Sequence, residues 1–208
     1  MIKALLLIFE PIQAWDRITR ARRSLVFILT FHLLPLLLLA AAAEGYGLVH
    51  WGKGQGALMK LKTFPLPEVV IYEFGQLLLS VGVVLVGAKI IKSLGETFHG
   101  RHTFTQAFTV TAYGLSPLFL LRLLDAFSSV NPWVSWTIGI LLSVGVLYQG
   151  LPRLMEPDPP HALGLYLMSA LLLAITTGLA RFVTAWYLEG RFKSVETVIH
   201  DLGARLPF

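Results

Sequence analysis

The sequence predicts an all-α fold: a polytopic membrane protein, a bundle of five transmembrane helices with a short N-terminal interfacial helix. Three observations predict it. The 208 residues are 55% hydrophobic and only 14% charged, against about 25% charged in soluble domains, and the mean hydropathy is +0.70. A chain this apolar has too little polar surface to clothe a globule, so lipid is its solvent. The apolar residues gather into five runs, each close to the roughly 20 residues that cross a bilayer. The basic residues flank those runs, where anionic headgroups account for them better than nucleic acid does. The organisation read from these runs is an N-terminal interfacial segment over 1–23, a five-helix transmembrane domain over 24–187, and a C-terminal tail over 188–208.

The first 23 residues are not a span, because the apolar run at 4–9 is far too short. That run also lacks the basic start, longer core and cleavage site of a secretory signal, so it is expected to be retained. Pro11 suits a first helical turn. Ile12, Trp15 and Ile18 recur at near-helical spacing, with Gln13, Asp16, Arg17 and Arg20 elsewhere around the helix. Two placements fit: a helix lying in the interface, or one packed on the end of the bundle.

The first span, 24–43, has no charged residue and contains His32 and Pro35. The glycines at 45, 47, 52, 54 and 56 then read as a flexible loop, with Trp51, Lys53, Lys60 and Lys62, closed by Pro65 and Pro67. The second span is 69–91, with Glu73 near its start and Lys89 near its end, close enough to snorkel. A basic loop leads to the third span, 104–124, and a short link carries Asp125, Asn131 and Pro132. The fourth span, 133–151, has Trp133, Trp136 and Tyr148 near its ends, as an aromatic belt predicts. After a proline-rich loop the fifth span runs over 163–187, with Arg181 close to its end. In the tail, Val195, Val198, Ile199 and Leu202 recur at helical spacing and predict a short amphipathic helix.

Five spans put the two ends on opposite sides. The Arg17, Arg20, Arg22 and Arg23 cluster directly before the first span predicts a cytoplasmic N-terminus and an external C-terminus. Arg191, Lys193 and Arg205 in the tail pull the other way.

Candidate chemistry is sparse. No catalytic residue, cofactor or metal is assigned. With no cysteine, thiolate ligands and nucleophiles are excluded. His99 and His102 lack the glutamate directly after the first histidine that a zinc-protease helix needs, and Gly100 between them argues against a rigid helix. There is no G-x-S-x-G elbow and no phosphate-binding loop. What remains is a candidate intramembrane polar site: His32, Glu73, Gln76, Tyr113 and Pro117. Ionisable residues inside spans are functional candidates by default. For His32 the alternative is a neutral histidine hydrogen-bonded to a neighbouring helix. Pro35 and Pro117 each remove a helix hydrogen bond. Gly139-x-x-x-Ser143 and Ala174-x-x-x-Gly178 are small-residue pairs of the kind that lets helices approach.

Three places in the sequence resemble the Yip family, the Ypt/Rab-GTPase-interacting five-pass membrane proteins, and in particular its bacterial branch. They are Pro11-x-x-x-Trp15-x-x-Ile18; Phe98-x-Gly100-x-x-x-Phe104 leading into Tyr113-Gly114-x-x-Pro117; and the stretch from Leu147 to Met155, followed by Pro157 and by His161 to Tyr166. The resemblance covers roughly residues 9–180. It implies five helices, a cytoplasmic N-terminus, no catalytic residues and a bacterial inner membrane. It does not bring GTPase binding with it, because the segment before the first span is about 23 residues, against the longer cytosolic region of the eukaryotic relatives. The tail beyond Arg181 is longer than the family pattern requires.

The expected function is therefore non-enzymatic: an assembly partner or membrane-organising protein, acting through membrane lipids and a membrane-protein partner or a second copy. The alternative is a transporter or channel component for a small solute, ion or lipid, its path lined by the five polar-site residues.

Overall fold

The computed structural model describes residues 2–55, 60–97 and 103–189. The H-x-x-H motif, the Phe98–Gly100 part of the family resemblance and the amphipathic stretch of the tail lie outside the described residues.

Five helices are long and apolar enough to cross a membrane. They follow two short ones, α1 (Ile2–Phe9) and α2 (Pro11–Ala21). The crossing helices are α3 (Leu25–His50), α4 (Leu66–Thr97), α5 (Phe104–Ala126), α6 (Pro132–Met155) and α7 (Ala162–Leu188, entered through a 3-10 turn at Pro159–His161). Between α3 and α4 a small antiparallel hairpin pairs β1 (Lys53–Gln55) with β2 (Lys60–Lys62), Lys53 opposite Lys62. Local chemistry starts the helices. Ser24 Oγ accepts from Phe27 N–H at the head of α3. Thr103 and Gln106 form a reciprocal capping box on α5. Asn131 caps α6 with Pro132 in its first turn. Each supplies acceptors for N–H groups that have no partner inside the helix.

The prolines act where the sequence places them. Before Pro35, α3 contains a π-helical turn, Leu29–Leu33. At Pro117, α5 breaks: α-helix ends at Gly114, restarts at Ser116, and gives way to a 3-10 turn over Arg122–Ala126. A missing N–H has to be absorbed by local rewinding.

Helix α5 is the centre of the bundle. In its most apolar window 72% of the residues are buried, against 22% for α4, so the other spans surround it and turn their outer faces to lipid. Phe74, Leu78, Leu141, Leu167, Leu171 and Leu179 are among the large apolar side chains left exposed on that perimeter. The small-residue pairs serve close contacts. A Cβ on Gly139 would lie 2.9 Å from the Leu118 backbone, and one on Gly178 would lie 3.2 Å from the Trp136 ring. Ser143 Oγ accepts from Leu118 N–H, 3.2 Å, which re-satisfies a donor just past the break at Pro117.

Two readings are corrected by the structure. Helix α3 continues to His50, so Glu44, Gly45 and Gly47 are helical residues and not loop. The loop that follows contains the β hairpin. The N-terminal segment packs on the bundle: Ala14, Trp15 and Ile18 of α2 are buried against α6, while α1 packs on the middle of α5, so one face of this segment joins the bundle's core. The fully buried Ala4 and Leu7 of α1 join that core.

Candidate functional site

Alternating passes put one end of every crossing helix on each side of the bundle. The ends of α3, α5 and α7 and the starts of α4 and α6 share the face opposite the N-terminal segment. Charged residues from four of these helices meet there, between the last residues of the helix and about two turns in, or up to roughly 10 Å.

The construction begins at Gly47. A Cβ there would lie 2.0 Å from the Ala126 carbonyl oxygen, so only glycine lets α3 touch the last turn of α5. That turn is 3-10, with three residues per turn, which aligns Arg122 and Asp125 on one side. Arg122 then bridges two spans. Its Nε donates to Glu44 Oε2 on α3 at 2.8 Å and its Nη2 to Glu73 Oε2 on α4 at 2.7 Å. Gln76 Nε2 and Tyr72 Oη, on the same side of α4 as Glu73, donate to the two Glu44 oxygens at 3.1 and 3.3 Å. Asp125 accepts from Arg181 of α7 and from Ser135 of α6, and Lys53 of β1 donates to its backbone carbonyl at 3.0 Å.

Exposure is 1% for Glu44, 3% for Asp125, 8% for Arg122 and 9% for Arg181. Three carboxylates (Glu44, Glu73, Asp125) face three cations (Arg122, Arg181, Lys53), so the cluster is formally neutral. That balance is the condition for burying charge at all. Lys53 lies outside the spans; burial pushes its ammonium below the usual lysine range, opposed by the charges of Asp125 and Glu44. An apolar layer of Leu48, Phe64, Val69, Tyr72 and Leu188 packs beside the cluster.

A small cleft of about 70 Å³ opens among α4, α5, α6 and α7, with Arg122, Asp125, Arg181, Gln76 and Trp136 in its wall. Gln76, Leu79 and Thr184 are shared with a second, larger and more apolar cavity of about 510 Å³ between α4 and α7. Four buried polar atoms in the cleft wall have no hydrogen-bond partner: Arg122 Nη1, Arg181 Nε, Trp136 Nε1 and Gln76 Oε1.

The predicted polar site divides in two. Glu73 and Gln76 belong to the charged cluster. His32 and Tyr113 lie elsewhere, about 18 Å along α3 from Glu44. His32 stacks on Tyr113 with centroids 4.0 Å apart, and its Nε2 is 2.8 Å from Ser116 Oγ, next to Pro117. This hydroxyl–imidazole pair has no counterpart in the sequence reading, which proposes no nucleophile and base. Ser116 Oγ also lies 3.0 Å from the Ala112 carbonyl, to which it can donate, and the direction of its bond with His32 depends on the imidazole tautomer. Conversely, the sequence reading does not include Glu44, Tyr72, Arg122, Asp125, Ser135 or Arg181 in the site. Their shared signal is position: each lies near a span end on the one face where five alternating passes bring those ends together.

Beside His32 lies a contact cluster. Trp15 Nε1 donates to the Val146 carbonyl at 2.9 Å. The Trp15 ring rests on Gly150, where a Cβ would come within 2.3 Å, and stands edge-on to Tyr113 at 6.3 Å. Gly114 faces Leu147 just as closely. The three sequence stretches around Trp15, Tyr113 and Leu147 therefore meet at one place.

The family profile of the Yip1 domain matches residues 5–182. The chain belongs to the Yip1 family. The Yip1 match runs from α1 into the last turns of α7 and takes in both the Trp15 cluster and the charged cluster up to Arg181. No curated protein and no solved structure matches the chain.

Proposed function

We propose that this Yip1-domain protein is a non-enzymatic assembly partner or membrane-organising protein of a bacterial inner membrane, with its N-terminus cytoplasmic and its C-terminus outside. The observation that carries the reading is the closure of the charged cluster. Each of its carboxylates is ion-paired with a guanidinium group, and these pairs tie α3, α4, α5 and α7 together at one face. Toward the other face the interior is filled by Leu33, Leu37, Phe108, Leu115 and Leu147, all fully buried. A rigid bundle of this kind acts through its outer surface, on neighbouring lipids and on a membrane-protein partner or a second copy of itself.

The test is the size of the particle extracted from native membranes in mild detergent. The reading expects an assembly larger than one 23.0 kDa chain plus its micelle, or a measurable change in bilayer order when the purified chain is reconstituted. A lone chain with neither effect overturns it. One observation favours the transporter alternative: the cleft with its unpartnered polar atoms. In proteoliposomes that alternative requires a solute flux that falls in Glu73→Gln, whereas the leading reading expects the flux of empty liposomes.

A further inference from the structure

We propose that the cleft between α4 and α7 holds the phosphate headgroup of an anionic phospholipid drawn from the leaflet on the face opposite the N-terminal helices. The inference goes beyond the assembly reading and stands whether or not a protein partner exists.

Four features carry it. First, the cleft wall is rich in spare donors. Arg122 Nη1, Arg181 Nε and Trp136 Nε1 are N–H groups buried without a partner, and two of them sit on guanidinium groups that are less than one-tenth exposed. A buried donor left unsatisfied is costly, and guanidinium N–H groups match phosphate oxygens in geometry and charge. Second, the one carboxylate that lines the cleft is already engaged: Asp125 accepts from Arg181 and Ser135, and Arg122 is paired with Glu44 and Glu73, so the cleft wall offers N–H donors in a formally neutral cluster and no unpaired carboxylate of its own. Gln76 Oε1 is left as an acceptor for a headgroup hydroxyl.

Third, the way out of the cleft is apolar and lateral. The adjoining cavity is bounded by Ile71, Gly75, Leu79, Val183 and Tyr187, of which Ile71, Val183 and Tyr187 are exposed on the lipid-facing perimeter. Acyl chains lying there would stay in the hydrocarbon while the phosphate reaches inward. Fourth, the depth is suitable: Arg181 lies about two turns from the end of α7, roughly 10 Å in, within reach of a headgroup. The cleft itself is small, about 70 Å³, and the adjoining cavity, about 510 Å³, falls within the range of about 300–1,000 Å³ usual for small-ligand sites.

The test is native mass spectrometry of the full chain in detergent, titrated with phosphatidylglycerol, with diacylglycerol of the same acyl chains, and with inorganic phosphate. We expect one phosphatidylglycerol to bind and survive gentle activation, with diacylglycerol binding at least tenfold more weakly and inorganic phosphate failing to displace the lipid. Two variants keep the result tied to the cleft. Gly75→Trp fills the mouth; a Cβ at Gly75 has nothing within 4 Å, so the variant should melt like the wild type and bind at least tenfold more weakly. Trp136→Phe removes one N–H and leaves every ion pair in place, and should weaken binding about tenfold. Equal binding of diacylglycerol, displacement by inorganic phosphate, or undiminished binding in Trp136→Phe each overturns the proposal. The particle size of the extracted protein is unaffected by any of these outcomes, so the assembly reading is judged separately.

Discussion

Glu44 and Glu73 share one guanidinium, and neither has another cation within hydrogen-bonding distance among the described residues. Removing that guanidinium strands two carboxylates in a low-dielectric interior, whereas removing one carboxylate leaves Arg122 with the other. Arg122→Met should therefore cost about 3–5 kcal/mol and Glu73→Gln clearly less, measured by thermal unfolding in detergent; equal losses would mean that the cluster is not organised around Arg122. Lys53 supplies a pH dependence. Its ammonium is held below the usual range of about 10.4, so between its folded pKa and that value the unfolded chain binds more protons. Stability from this group rises with pH across that alkaline window, and below it the full cost of burying the charge is present. The stability of wild type relative to Lys53→Met should thus improve as the pH is raised through the window, and a flat difference would contradict the burial. Of this cluster, Glu73 and Gln76 are legible in the sequence because they interrupt an apolar run. Glu44 and Arg122 are not, because hydropathy marks where a run weakens and says nothing about which end residues face one another.

At the scale of the element, hydropathy locates the spans and underestimates their helices. The helix of α3 outlasts its apolar run because Glu44 finds a buried partner in Arg122, so the chain stays helical through Gly45 and Gly47 to His50. The hairpin of β1 and β2 carries lysines and glycines with no alternating apolar pattern, so nothing in its periodicity marks it. The placement of α2 turns on Trp15, whose indole N–H finds a carbonyl inside the bundle. That contact makes a prediction for α6, which contains two informative glycines. Gly150→Ala drives a Cβ into the Trp15 ring, while a Cβ on Gly145 meets nothing within 4 Å. Gly145→Ala should be neutral or stabilising by up to about 1 kcal/mol through helix propensity. Gly150→Ala should destabilise by about 1–3 kcal/mol through overpacking and loosen α2, seen as faster proteolysis at Arg17 and Arg20. Equal behaviour of the two variants would dislodge Trp15 from its position.

For the whole molecule, the alternation of passes decides everything else, because it is what gathers Glu44, Glu73, Arg122, Asp125, Ser135 and Arg181 on one face. The count was readable from five uncharged or nearly uncharged runs. The convergence needs the third dimension, and with it the tight approach at Gly47. The absence of cysteine allows a clean measurement: single cysteines at Arg20, Lys62, Asn131 and Asp158, all exposed, probed in intact cells with a membrane-impermeant maleimide. The account predicts that Lys62→Cys and Asn131→Cys react from outside, while Arg20→Cys and Asp158→Cys react only after the membrane is opened. Labelling that groups Arg20 with Lys62, or Asn131 with Asp158, would contradict the five crossings and dissolve the charged face built on them.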